Sequence, residues 1–212
     1  MKNIATFLLG FLPFTMACLV LGNTPKISFT ESPSQEKIST SIVPTKNGPL
    51  PEYPGLIVFQ NIKMEYYDIQ GSTADDLLNE MYDKGPIAGF ENYQSVAAVE
   101  YDLWYTWPGK SLGGCDLNKA EIGYYLKVIA PRWSPPPNVS AELIESWINY
   151  MKKVQAHEEE HIKILRKYHA ILDETIASST CLAASDAADK VEQNLIREEA
   201  KLDQETEPII FP

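Results

Sequence analysis

Residues 154–164 read V-Q-A-H-E-E-E-H-I-K-I and carry His157, Glu158 and His161 in the pattern H-E-x-x-H. Two histidines four residues apart on a helix project from one face, their Cβ atoms roughly 6 Å apart, so both imidazoles can grip one Zn²⁺. The glutamate beside the first can then hold a water on that metal and take its proton. The pattern fixes only three letters, and a glutamate-rich solvated helix produces it by chance. Its surroundings decide.

On a helical wheel for residues 141–176, Leu143, Ile144, Trp147, Ile148, Met151, Val154, Ile162, Leu165, Leu172 and Ile176 fall in one stripe. Glu158 lies inside that stripe, as does His161, with His157 on its edge and Glu159 and Glu160 turned to water. A carboxylate facing a core is costly unless something compensates it, and a metal with its water would do so. The competing reading is a buried salt bridge flanked by boundary histidines. The geometry favours the metal.

Outward from this helix the chain divides into three parts. Residues 1–22 carry Lys2 and then an uncharged run over residues 4–22, the form of an export signal or membrane anchor. Cleavage after Gly22, lipid attachment at Cys18 within Thr15-Met16-Ala17-Cys18, and retention as an anchor all stay open, and all three imply export to an extracellular, periplasmic or cell-surface location. Residues 23–54 are rich in Ser, Thr, Pro and Lys without a period of 2 or 3.6, which predicts a flexible linker. Residues 55–212 hold the folded domain.

The charge balance is acidic, 29 Asp plus Glu against 18 Lys plus Arg, a formal net charge of -11. That repels phosphate backbones and argues against a nucleic-acid partner. With Cys18 in the targeting segment, Cys115 and Cys181 remain as the pair of the mature domain, and an oxidising compartment would let them form a disulfide.

Within the domain, residues 56–59 and 63–69 read as strands, and Ser72 or Thr73 caps a helix that runs to about Asp83 and stops at Gly85-Pro86. Residues 95–107 and 121–130 read as a longer antiparallel strand pair. Pro135-Pro136-Pro137 stiffens the entry to the long helix, capped by Asn138 or Ser140, and Ser178-Ser179-Thr180-Cys181 breaks it. A second amphipathic helix follows from about Ser185 to Leu202. The expected fold is α+β: a small antiparallel sheet packed on the long H-E-x-x-H helix, which forms an antiparallel hairpin with the C-terminal helix.

A catalytic zinc takes three protein ligands and a water. His169 stands ~12 Å along the axis from His161 at 1.5 Å per residue and is rotated by roughly 80°, so one unbroken helix cannot bring it to the same metal. If the helices fold back about a turn centred near Cys181, the residue opposite Glu159 is close to 203. Asp203, Glu205 and Glu207 are therefore the carboxylates in reach. Tyr124, Tyr125, Arg132 and Tyr168 are of the right type to stabilise an oxyanion.

The run Tyr67-Asp68-Ile69-Gln70-Gly71-Ser72-Thr73, then Leu77, Met81, Gly85-Pro86, Trp104, Trp107, Cys115, Pro131, Trp133, Trp147, H-E-E-E-H and Cys181 resembles the bacterial family called domain of unknown function 922 over residues 63–206. The resemblance implies a zincin-like, secreted zinc-dependent protease acting on a peptide or protein substrate. It implies His157 and His161 as metal ligands and Glu158 as general base. Members end in Tyr-Asp-x-x-Thr-x-His-Gly, whose counterpart is the stretch at residues 202–208, and there Glu207 occupies the histidine position. The implied ligand set is His157, His161 and Glu207, with Asp203 the alternative. Two further readings stay open: a non-catalytic exported zinc-binding domain, and a structural domain whose histidines bind nothing.

Overall fold

The rod on which the domain is built is the helix α2, Ala141–Ser178. Its 38 residues run about 57 Å at 1.5 Å per residue. Ser140 caps it, its hydroxyl accepting from the Leu143 backbone N–H at 3.1 Å, with Glu142 in the first turn. At the far end Ser179 N–H donates to Ile176 carbonyl and the chain turns back into α3, Ala184–Glu205. The computed structural model describes residues 52–88, 93–110, 114–206 and 209–211. The signal or anchor segment, Cys18, most of the expected linker and Glu207 lie outside the described residues.

Ahead of α2 come β1 (Lys63–Ile69), α1 (Ala74–Lys84), β2 (Ile87–Ala88), β3 (Tyr93–Gln94), β4 (Ala98–Thr106) and β5 (Glu121–Trp133). Thr73 closes a capping box with Asp76 at the start of α1. The α+β class and the helical hairpin are as the sequence led us to expect. The sheet differs in one respect: its order is β1-β5-β4, with β4 antiparallel to β5 but β1 parallel to it, so it is mixed. Residues 107–120 join β4 to β5, which pair antiparallel, whereas α1 and the strands after it give β1 the long connection that parallel pairing needs. Residues 56–59, expected as a strand, join no ladder. They are held instead by side chains, with Ile57 fully buried and its carbonyl accepting from the Tyr66 hydroxyl at 2.6 Å.

Two apolar clusters flank the rod. Toward its start, Trp147, Met151 and Val154 pack with Ile57, Leu77, Met81, Trp133 and Phe211. Trp147 is held edge-on by Trp133 at 5.6 Å and Phe211 at 5.8 Å, and its indole N–H donates to Pro54 carbonyl at 2.8 Å. Toward its end, Ile162, Leu165, Leu172 and Ile176 pack with Leu126 and Val128 of β5 and with Ala188, Val191 and Leu195 of α3. Glu158 falls on α2 between Val154 of the first cluster and Ile162 of the second. A disulfide joins Cys115, in the loop between β4 and β5, to Cys181 in the turn between α2 and α3.

Candidate metal centre

The junction between the two clusters is where the polar residues of α2 turn inward. Glu158 is 4% exposed, the one charged residue that is buried among the described residues. Side chains of His157 and His161 keep 18% and 13% of their surface, whereas Glu159 and Glu160 each keep 52%. The wheel therefore placed every member of H-E-E-E-H on the correct side. One turn of helix separates the imidazoles, and their rings stand edge to face with centroids 4.7 Å apart.

Because α3 runs back antiparallel, its last turns lie over this part of α2. Asp203 Oδ1 comes to 3.2 Å from His157 Nε2 and 3.1 Å from His161 Nε2, and the two Nε2 atoms are 3.1 Å apart. Three ligand atoms thus close a nearly equilateral triangle. Ligands about 2.0–2.1 Å from a tetrahedral zinc stand roughly 3.3 Å from one another, so the triangle matches such a site within a few tenths of an ångström. A proton on one imidazole lets the two nitrogens sit this close, and a metal ion in the triangle would take the place of that proton. Two imidazoles and one carboxylate are the donor set of a catalytic zinc, which leaves a coordination position open.

The electrostatics follow from this crowding. Burial alone would lower the basicity of His161, but the Asp203 and Glu199 carboxylates outweigh it and raise its pKa to about 10. For Asp203 burial acts upward, and the contacts with His157 and His161 reverse it, holding the carboxyl well below the usual carboxylate range. Glu158 is governed by burial, which pushes it up to about 7 against the opposing pull of the two imidazoles.

Of the carboxylates in reach, Asp203 stands at the imidazoles and Glu207 lies outside the described residues. The hairpin argument set 203 opposite 159, which lies midway between the two residues that Asp203 meets, His157 and His161, as a turn centred on Cys181 requires. His169 is elsewhere, its ring edge-on to Tyr124 at 5.0 Å. The four oxyanion candidates are otherwise engaged: Arg132 makes a paired contact with Asp68 at 2.7 and 3.0 Å, and the Tyr168 hydroxyl donates to Glu198 at 2.8 Å. Tyr124 packs on His169, and Tyr125 is half exposed beneath Lys63.

Two residues at the site escaped the sequence reading. Glu199 Oε2 meets His161 Nδ1, while its other oxygen, Oε1, is buried and has no hydrogen-bond partner among the described residues. Spacing could have found it, because Glu199 precedes Asp203 by four residues and so shares its helix face. Tyr101 of β4 lies close to the same carboxylate, its hydroxyl pKa raised by burial and then by Glu199 and Glu192. A separate open cavity of about 630 Å³, lined by residues including Tyr53, Asp68, Gln70, Ser72 and Arg132, shares no residue with the triangle.

A family model described as bacterial protein of unknown function (DUF922) matches residues 64–208, which includes every residue of the triangle. No curated protein and no solved structure matches the chain.

Proposed function

Since this chain belongs to the DUF922 family of bacterial proteins of unknown function, we propose from its own geometry that it is a zinc-dependent metallopeptidase, secreted or surface-tethered. The observation that carries this reading is the closed triangle of His157 Nε2, His161 Nε2 and Asp203 Oδ1 beside a buried Glu158. His157, His161 and Asp203 would hold the ion, and zinc bound there supplies Lewis acidity toward water and toward a peptide carbonyl.

Glu158 has the work of the base. It accepts the proton of the attacking water and hands it to the leaving amine. A carboxyl poised near neutrality serves both halves of that exchange. Two histidines and a carboxylate also suit iron(II), and it is the buried carboxyl beside them that favours hydrolysis. The disulfide between Cys115 and Cys181 supports an oxidising compartment, as does the apolar run near the N-terminus.

The test uses the full disulfide-bonded chain. Metal analysis should find one zinc per chain, and casein or a peptidoglycan peptide should be cleaved by the wild type and not by Glu158→Gln. A chain that takes up no transition metal, or a Glu158→Gln variant with wild-type turnover, would overturn the proposal.

A further inference from the structure

Among the described residues, His161 is the one member of the triangle met by a carboxylate at both ring nitrogens, and both carboxylates come from α3. Asp203 reaches Nε2 at 3.1 Å, and Glu199, four residues earlier on the same helix face, reaches Nδ1. We infer that Glu199 is a positioning residue: it accepts the Nδ1 proton of His161, which fixes the tautomer whose free Nε2 points at the metal, and it sets the plane of that ring. The inference rests on the proposed metal centre and assigns a residue to it that contacts no ion.

The geometry argues for this role in three ways. A neutral imidazole has two tautomers, and ligation through Nε2 requires the proton on Nδ1. A carboxylate at Nδ1 selects that state and makes Nε2 a better donor. Glu199 is also well placed to keep it selected, because its side chain and that of His161 are each only 13% exposed, which limits competition from water. Finally, Glu199 Oε1 is buried without a hydrogen-bond partner among the described residues, so the contact with His161 is what compensates the burial of this carboxylate there. A glutamate with only a packing role would be replaced at less cost by an apolar residue.

The spacing makes the assignment specific. His157 and His161 are one turn apart on α2, and Glu199 and Asp203 are one turn apart on α3. Antiparallel packing sets turn against turn, so that one carboxylate meets both Nε2 atoms and the other meets the back of a single ring.

The experiment compares the full chain with Glu199→Ala, Glu199→Gln and Asp203→Ala, all confirmed folded by circular dichroism. Zinc affinity is read by competition with a chromophoric chelator, and the His161 tautomer by ¹⁵N NMR of the zinc-loaded protein. Glu199→Ala should lose about 10- to 100-fold in zinc affinity. Glu199→Gln, whose amide oxygen still accepts from Nδ1–H, should lose less and keep the protonated Nδ1 signature. Unchanged affinity in Glu199→Ala would overturn the inference while leaving the metal centre intact. A loss in both Glu199 variants as large as that of Asp203→Ala would make Glu199 a ligand and likewise overturn it. A wild type that binds no zinc overturns the metal centre and the inference together.

Discussion

Asp203 Oδ1 meets His161 Nε2 at 3.1 Å across the helical hairpin, and the same oxygen is 3.2 Å from His157 Nε2. One carboxylate oxygen therefore serves both imidazoles. Replacing Asp203 by Ala should lower zinc affinity by about two orders of magnitude or more, beyond the 10- to 100-fold typical of an outer-shell change. Glu207→Ala should change it little. Chelator competition on the two variants separates the two carboxylates, and the reverse ranking would assign the ligand to Glu207.

Glu158→Gln should have opposite effects on turnover and on stability. Loss of the base should cost about 10²-fold or more in the rate of hydrolysis. In the metal-free protein the same change should stabilise the fold. Burial raises Glu158 from its ordinary value to about 7, so ionising it opposes folding. That penalty is absent below the unfolded pKa of about 4.5, grows as pH rises, and is complete above about 7. Thermal unfolding at pH 8 should show Glu158→Gln more stable by up to about 3 kcal/mol, and at pH 4 the two should coincide.

The pH dependence of His161 runs in the other direction. Its folded pKa is raised to about 10, above the ordinary 6.5, so its ionised contacts stabilise the metal-free protein fully below about 6.5 and are lost as pH rises through about 10. Zinc must displace that proton. Apparent affinity should rise up to about tenfold per pH unit for each proton displaced across the neutral range. Calorimetry in buffers of different ionisation enthalpy would count the protons released, and a count of zero would refute the competition.

Removing the disulfide tests how firmly the hairpin is held. The bond spans 66 residues, and closing a loop of this length is worth about 4 kcal/mol in the unfolded chain. A Cys115→Ser, Cys181→Ser double variant should be less stable by about 2–4 kcal/mol in denaturant titration. Its zinc affinity should stay close to wild type, because the ligands lie several turns from the bond.

The parts of this architecture that were legible in the sequence are those set by local period. An α-helical repeat sustained over residues 141–176 was enough to turn Glu158 inward and Glu159 and Glu160 outward, since each position's direction follows from its place in the turn. Chain direction within the sheet is a different matter: the alternation in β1 is the same whether it pairs parallel or antiparallel, so the mixed sheet could not be read from it. Asp203 was reached because its position depends only on where the hairpin turns, and a centre near Cys181 sets 203 opposite 159, midway between His157 and His161. Glu199 was missed because a glutamate on an amphipathic helix normally belongs to the solvated face. Only the packing of α3 on α2 removes it from water.

Asp203 is moored on both sides by different cores. Leu195, fully buried, anchors α3 in the cluster at the end of the rod, whereas Phe211, 5% exposed, docks against Trp147 and Tyr150 in the cluster at its start. Asp203 therefore lies, along the chain, midway between two residues each seated in a different core. Loosening either core would let the oxygen drift from the imidazoles while most of the fold survives, so retention of a bound ion should report damage to these two cores before the rest of the scaffold gives way.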